Sequence, residues 1–339
     1  MAPALSGDGS AGDLRREALL KVPGCEDGRA PIVVAPLQGG TSNAAFRVQT
    51  DLGSFVLRLN EPEAGQLGVD RAREALLHRA AAAAALAPAV IHADAAGRFL
   101  ITEFLTGPGW SAQDMGDWHC LAELGEVLRQ LHALVPPAVD SNAHSADGDR
   151  LAQHSSAQRS AAPLPRTVST PAHGDRVAHP ASPFRLEPLL QHHLTRAVEA
   201  NPAEAARLTP LVRRAESILA ASNADGARNT TIIHNDLHHS NLIGSSHRLR
   251  LVDWEYAAVA DPLYDLACLL AYYPQAEPHA APLLEVTGLA VRASIDELTD
   301  IAWVYVLLSY LWYRTRGLLA PASSQDREAE QSLLERLRI

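Results

Sequence analysis

The stretch that decides the fold reads Ile232-Ile233-His234-Asn235-Asp236-Leu237-His238-His239-Ser240-Asn241-Leu242-Ile243, followed by Leu251-Val252-Asp253-Trp254-Glu255-Tyr256. Asp236 and Asn241 flank a polar loop between apolar segments. Leu242-Ile243 leads out, Gly244 to His247 turns, and Leu249 to Asp253 returns, which is a hairpin pattern. Its far end brings in a second Asp. These groups suit phosphoryl transfer. One carboxylate orients and deprotonates an attacking hydroxyl, while an amide oxygen and another carboxylate hold the metal that bridges nucleotide phosphates. Asp236 takes the first role; Asn241 and Asp253 are the metal ligands.

Upstream, the pattern is β-rich. Ile32 to Leu37, Ala45 to Thr50 and Ser54 to Leu59 are apolar or alternating segments separated by Gly39-Gly40-Thr41-Ser42-Asn43 and Asp51-Leu52-Gly53, a small antiparallel meander. A short helix over Leu14 to Val22 precedes it. Asp70 caps a helix through Glu74 and Leu77 to about Leu86, stopped by Pro88. Two more strands follow, Ala89 to His92 and Arg98 to Phe104. From Ser111 the period becomes helical, with Trp118, Leu121, Leu124, Leu128, Leu131 and Leu134 in one stripe. Helices resume at Leu186 to Glu199 and Ala203 to Ala221, Thr230 to Ile233 is a strand, and the chain is helical from about Pro262. Residues 139–183 hold no aromatic and no Ile, and their four acids match four arginines. They read as a disordered insertion, because too little apolar surface is available to offset ordering entropy.

Composition narrows the chemistry. The net charge of −10 argues against a nucleic-acid partner. Lys21 is the single lysine, so Schiff-base chemistry and the lysine-bearing P-loop are excluded as themes. The 3 cysteines, Cys25, Cys120 and Cys268, form no CxxC pair, which suits a reducing cytoplasm. The N-terminus lacks a long apolar run, and the longest apolar helix segment, Ile301 to Leu311, is too short to span a bilayer, so no membrane association is expected. His234 and His238 have the spacing of a zinc-protease pair, but Asn235 stands where the base would be.

His-x-Asp-x-x-x-x-Asn, then Asp253-Trp254-Glu255-Tyr256-Ala257 and Asp261-Pro262-Leu263-Tyr264-Asp265-Leu266-Ala267, resembles the aminoglycoside phosphotransferase and choline kinase superfamily. The likeness is closest to the bacterial choline kinase and thiamine kinase-like branch and runs from about residue 32 to 317, outside the insertion. It implies an α+β, protein-kinase-like bilobal fold. After an N-terminal extension (1–30), a small antiparallel sheet forms the nucleotide-binding N-lobe (31–105). A mainly helical C-lobe (106–339) binds the acceptor. It implies ATP as donor, Mg²⁺, and a small-molecule acceptor. Gly39, Gly40, Thr41, Ser42 and Asn43 would cover the phosphates through backbone N–H groups. Arg58, interrupting an apolar strand, would reach the phosphates in the place of a lysine and pair with Glu74. Ile101-Thr102-Glu103-Phe104-Leu105 would be the hinge whose backbone binds adenine, at Glu103 and Leu105. His234 and Asp265 would brace the catalytic loop. The missing DFG implies no protein-kinase activation loop.

The acceptor is expected beside Glu255, Tyr256, Tyr310 and Trp312, the last two from a C-terminal run rich in aromatics. Aromatic faces with a carboxylate suit a cation such as choline or thiamine. Alternatives are an aminoglycoside or sugar kinase, and a non-catalytic pseudokinase-like module that holds a nucleotide or cation.

Overall fold

A computed structural model describes residues 9–37, 43–139, 179–180, 184–222, 231–245 and 248–337. Helix α1 (Gly9–Leu19) opens the chain, starting and ending earlier than its sequence pattern suggested. Three strands follow: β1 (Val33–Pro36), β2 (Ala44–Thr50) and β3 (Gly53–Leu59). Next come α2 (Arg71–Ala83), β4 (Val90–Ala93) and β5 (Phe99–Glu103). The strands form one antiparallel sheet in the order β1-β2-β3-β5-β4, so β5 slots beside β3 and leaves β4 at the edge. Apolar residues alternate along these strands, so one sheet face is apolar. Val48, Phe55, Leu57, Phe99 and Ile101 of that face pack on Ala18 of α1 and on Val22 and Cys25 beyond it.

Helix α2 starts cleanly because the Asp70 carboxylate accepts from the N–H groups of Ala72 and Arg73 at 3.0 Å, a cap worth about 1 kcal/mol. Its apolar residues Leu77 and Ala81 join the larger, helical core rather than the sheet core. The helix thus belongs to both halves and can carry a side chain to the seam between them.

The remainder is mostly helical. It begins with α3 (Trp118–His132), whose buried Leu121, Leu124, Leu128 and Leu131 are the predicted stripe. The insertion lies outside the described residues except at its ends, where β6 (Ala138–Val139) pairs antiparallel with β7 (His179–Pro180). Helices α4 (Leu186–Ala200) and α5 (Ala205–Ser222) follow. Strand β8 (Thr231–Ile233), the hairpin β9 (Leu242–Ile243) with β10 (Arg250–Leu251), and β11 (Ala258–Ala260) carry the decisive stretch. β11 pairs back on β8, so the stretch closes on itself. Helices α6 (Leu263–Tyr272), α7 (Ala280–Val286), α8 (Ile295–Leu319) and α9 (Ser324–Leu337) complete the chain. Among the described residues no helix is long and apolar enough to cross a membrane.

Candidate active site

Strand β8 ends at Ile233, and the next residues are pinned from three helices. Asp265, in the first turn of α6, accepts the backbone N–H groups of His234 at 3.2 Å and Asn235 at 2.7 Å. His132 of α3 lies 2.9 Å from the same carboxylate. Asn235 sits at φ +63°, a left-handed conformation that Asn tolerates better than most residues. Its side chain donates to the Tyr256 carbonyl at 3.1 Å and accepts from the Tyr305 hydroxyl of α8 at 2.5 Å. His234 is fully buried, and its Nε2 lies 3.0 Å from the Val252 carbonyl. A carbonyl only accepts, so Nε2 carries the proton. Burial also lowers the His234 pKa, which keeps the ring neutral. His234 and Asp265 are thus both hydrogen-bonded to backbone of this region, His234 to Val252 and Asp265 to residues 234 and 235.

The pinned loop presents Asp236. Both of its carboxylate oxygens are held: Oδ1 accepts from the Tyr272 hydroxyl at 3.0 Å and Oδ2 from Asn241 Nδ2 at 2.9 Å. Each oxygen keeps a second lone pair for an incoming hydroxyl. Burial, reinforced by the nearby Asp253 charge, pushes the Asp236 pKa up to about 7. Asn241 Nδ2 also donates to the Asp236 carbonyl at 3.0 Å, which fixes the amide so that its Oδ1 points away from Asp236.

Asp253 lies past β10 at φ +61° and is a third exposed. Its Oδ1 accepts from Arg58 at 2.8 Å. Arg58, from β3, also bonds Glu74 of α2 and, through Nε, Asn60 at 2.9 Å. The expected Arg58–Glu74 pair is thus present and reaches Asp253 across the seam. Burial would lower the Arg58 pKa, but Glu74, Asp253 and Glu255 outweigh it. Burial alone would raise the Glu74 pKa; Arg58 and Arg71 outweigh it and hold that carboxyl below its usual range. Asp253 and Glu255 are raised, chiefly by burial. Trp254 is fully buried between two rings, with His78 of α2 stacked at 5.9 Å and His234 edge-on at 4.9 Å.

The donors fit a hard divalent cation. As ligands Asp253 and the Asn241 amide offer oxygen, and three carboxylates, Glu74, Asp253 and Glu255, meet the two guanidinium groups of Arg58 and Arg71, leaving a negative surplus. No group of three or more His, Cys, Asp or Glu side chains among the described residues could hold a metal alone. Mg²⁺ takes one or two carboxylates and completes its shell with phosphates and water, so Asp253 and Asn241 Oδ1 would be donors enough for it.

Other expected residues are placed unequally. Gly39, Gly40, Thr41 and Ser42 lie outside the described residues, whereas Asn43 reaches the site and donates to Glu255 at 2.8 Å. Glu103 and Leu105 line a cleft of about 260 Å³ with Gly107, Ile243 and Arg248. Tyr256 accepts from Trp312 Nε1 at 2.9 Å, so these two aromatics are joined near Asp236. Two of the residues expected at the acceptor have partners of their own. Glu255 turns toward Arg71 and Asn43, at 3.0 and 2.8 Å, because those donors compensate its burial. Tyr310 is 1% exposed and its hydroxyl accepts from Arg207 of α5 at 2.6 Å. The helical turn angle between residues 310 and 312 sends them to different faces of α8.

Sequence reasoning missed Arg71, Tyr272, Tyr305 and His132. Arg71 had a signal, its i,i+3 spacing to Glu74 on one helix face. The others act through contacts distant in sequence.

A family comparison now has a site to meet. The model of the phosphotransferase enzyme family, APH, matches residues 33–298. The chain belongs to that phosphotransferase family. Among solved structures it is similar to choline kinase LicA from Streptococcus pneumoniae (TM-score 0.69, 14% identity, 97% of this chain and 99% of that one). It is also similar to a choline/ethanolamine kinase family protein from Mesorhizobium loti (TM-score 0.64, 22% identity, 96% and 93%). A macrolide 2'-phosphotransferase from Brachybacterium faecium aligns less well (TM-score 0.50, 20% identity, 91% and 95%). These likenesses establish the protein-kinase-like fold of this phosphotransferase.

Proposed function

We propose that this phosphotransferase is an ATP-dependent small-molecule kinase whose acceptor is a hydroxyl of choline, thiamine or a related amino alcohol. The observation that carries the kinase reading is the convergence of Asp236, Asn241 and Asp253 with the Arg58–Glu74 pair at one seam. Residues 31–105 then serve the nucleotide, with adenine in the cleft at Glu103 and Leu105. Residues 106–339 supply the base and the acceptor wall. Mg²⁺, held by Asn241 Oδ1 and Asp253, would offset charge on the phosphates. Arg58 steadies the same phosphates from above. Asp236, oriented by Tyr272 and Asn241, accepts the proton of the attacking hydroxyl.

The acceptor class rests on the aromatic surroundings of Asp236. Tyr256 and Tyr272 both feel the Asp236 charge, and burial keeps both phenols protonated. Aromatic faces beside one carboxylate suit an alkylammonium alcohol. Arg316 already stands 5.7 Å over the Trp312 ring, so Tyr256 and Tyr272 supply more of that attraction than Trp312. The better match to choline and ethanolamine kinase folds supports the same choice.

The test is ADP release with Mg·ATP across choline, ethanolamine, thiamine, sugars and aminoglycosides. The expected result is release that depends on an amino alcohol or thiamine. Turnover confined to an aminoglycoside or sugar would replace the acceptor class. Nucleotide binding with no acceptor-dependent ADP would favour a non-catalytic binding module.

A further inference from the structure

Helix α6 touches the loop after β8 along its whole length. At its start Asp265 holds the backbone of residues 234 and 235. Midway, the Cys268 thiol donates to the Asn235 carbonyl at 3.7 Å. At its end the Tyr272 hydroxyl donates to Asp236 at 3.0 Å. The hydroxyl of Tyr273, the next residue, accepts the His239 N–H at 2.8 Å and lies 2.7 Å from His239 Nδ1. The end of α6 therefore carries two of the groups that set where the Asp236 loop lies.

That end cannot hold itself. The last carbonyls of a helix have no donor within it. Leu270 would take the N–H four residues on, but residue 274 is proline and has none. Tyr273 has already left the helical conformation, at φ −129° and ψ 84°. Leu270 and Ala271 are buried, so their carbonyls need donors from the protein. Arg336 supplies them. It donates through Nη1 to the Ala271 carbonyl and through Nη2 to the Leu270 carbonyl, the latter at 3.4 Å. A planar fork directs its N–H groups at fixed angles and so can serve two neighbouring carbonyls. Its charge also opposes the negative end of the helix dipole. Arg336 comes from the last turn of α9, where the buried Leu333 and Leu337 anchor that helix in the larger core.

We propose that Arg336 is a positioning residue for phosphoryl transfer: from α9 it fixes the C-terminal end of α6, and through Tyr272 and Tyr273 it sets Asp236 and the loop that follows. The role rests on the reading of Asp236 as the base. Arg336 acts at one remove, through the tyrosines. Without it the end of α6 loosens, and the two hydroxyls no longer hold Asp236 and His239 in one place. The contacts of Arg58 with Glu74 and Asp253 lie outside this chain of bonds. Its loss is therefore felt in turnover rather than in the binding of ATP.

The experiment uses the full chain and two measurements. One is backbone hydrogen exchange read by mass spectrometry. The other is ADP release with Mg·ATP and whichever acceptor of the panel above wild type turns over fastest. Wild type is compared with Arg336→Met, Arg336→Lys, Tyr272→Phe and the Arg336→Met/Tyr272→Phe double variant. Arg336→Met should speed exchange in two segments far apart in sequence, 271–276 and 237–241, and leave 99–105 unchanged. Its kcat should fall by up to about tenfold, the scale of the Tyr272 hydrogen bond, with the KM for ATP unchanged. The double variant should lie within about twofold of Tyr272→Phe, since both changes break one chain of bonds. Arg336→Lys should recover most of the kcat, because an ammonium still donates to a carbonyl. A wild-type kcat in Arg336→Met, even with a lower unfolding midpoint, would reduce the contact to a structural one and overturn the role. Losses that multiply in the double variant would overturn it too. Wild type that releases no acceptor-dependent ADP would remove the kinase reading and this role with it, whereas turnover that Arg336→Met leaves intact removes the role alone. Should Arg336→Met not fold, Arg336→Gln takes its place in both measurements.

Discussion

The two sides of the seam are built from opposite materials. On the side proposed for the phosphates, Arg58, Arg71, Glu74, Glu255 and Asp253 form a network of ionic contacts. On the side proposed for the acceptor, Asp236 is surrounded by neutral donors and rings: Tyr272, Asn241, Tyr256 and Trp312. Phosphates need fixed positive charge at fixed distance, and a buried guanidinium provides it only when carboxylates compensate its desolvation. A base needs a carboxylate whose proton affinity lies close to the working pH, and a low-charge, aromatic wall provides that. Removing one member should therefore have different consequences on the two sides.

The largest effect should come from Asp236→Asn, which keeps the shape and removes the base. Turnover should fall by about three orders of magnitude, while thermal stability at pH 8 rises. The sign follows from linkage. The folded pKa, about 7, lies above the ordinary value of 3.8, so the folded state holds a proton that the unfolded state has lost. That contribution to stability is full below about 4 and is lost as pH rises through about 7. Activity runs the opposite way in wild type, rising through about pH 7 as the base becomes available. A pH–rate profile and melting curves at pH 5 and 8 check both halves. Asn241 is close enough that bound Mg²⁺ should move the activity limb to lower pH.

Next comes Arg58→Ala. It should raise the KM for ATP and also destabilise the fold by about 3–5 kcal/mol, because Glu74 and Asp253 lose a buried partner. Denaturant unfolding separates this from the acceptor side. Tyr272→Phe removes only a hydroxyl whose partner still has Asn241. It should lower kcat about tenfold with the KM for ATP and the unfolding midpoint nearly unchanged. A Tyr272→Phe variant that instead raised the KM for ATP would erase the distinction between the sides.

The same contrast explains what could be read in the sequence. Asp236, Asn241 and Asp253 lie on one short stretch whose hairpin is visible as a local pattern, and Arg58 stood out as a charge inside an apolar strand. The five strands, α2 and the stripe on α3 were equally local, and the structure keeps them. The start of α1 was not, because Gly9 to Gly12 offers no apolar period to mark a helix. Tyr272, Tyr305 and His132 were hidden for another reason. Each acts across more than thirty residues of intervening chain, on a partner that only the packing of α3, α6 and α8 selects. Aromatic clustering near residue 310 was legible, but which rings face the site was not, since the angle around a helix decides it.

Tyr310 tests that last point with the smallest expected effect. Tyr310 and Trp312 are two residues apart on α8, about 200° around the axis, and their partners already diverge. Trp312 donates to Tyr256 beside Asp236, while the Tyr310 hydroxyl accepts from Arg207, which also bonds Glu204. Trp312→Phe should remove the hydrogen bond to Tyr256 and raise the acceptor KM several-fold, as one neutral hydrogen bond is worth about 1 kcal/mol. Tyr310→Phe should leave the acceptor KM and kcat as they are. It should cost at most about 1 kcal/mol of stability, because Arg207 keeps Glu204 and the ring stays packed. Equal shifts in acceptor KM from both variants would mean that α8 presents both rings to the acceptor, and that the facing of this helix is wrong.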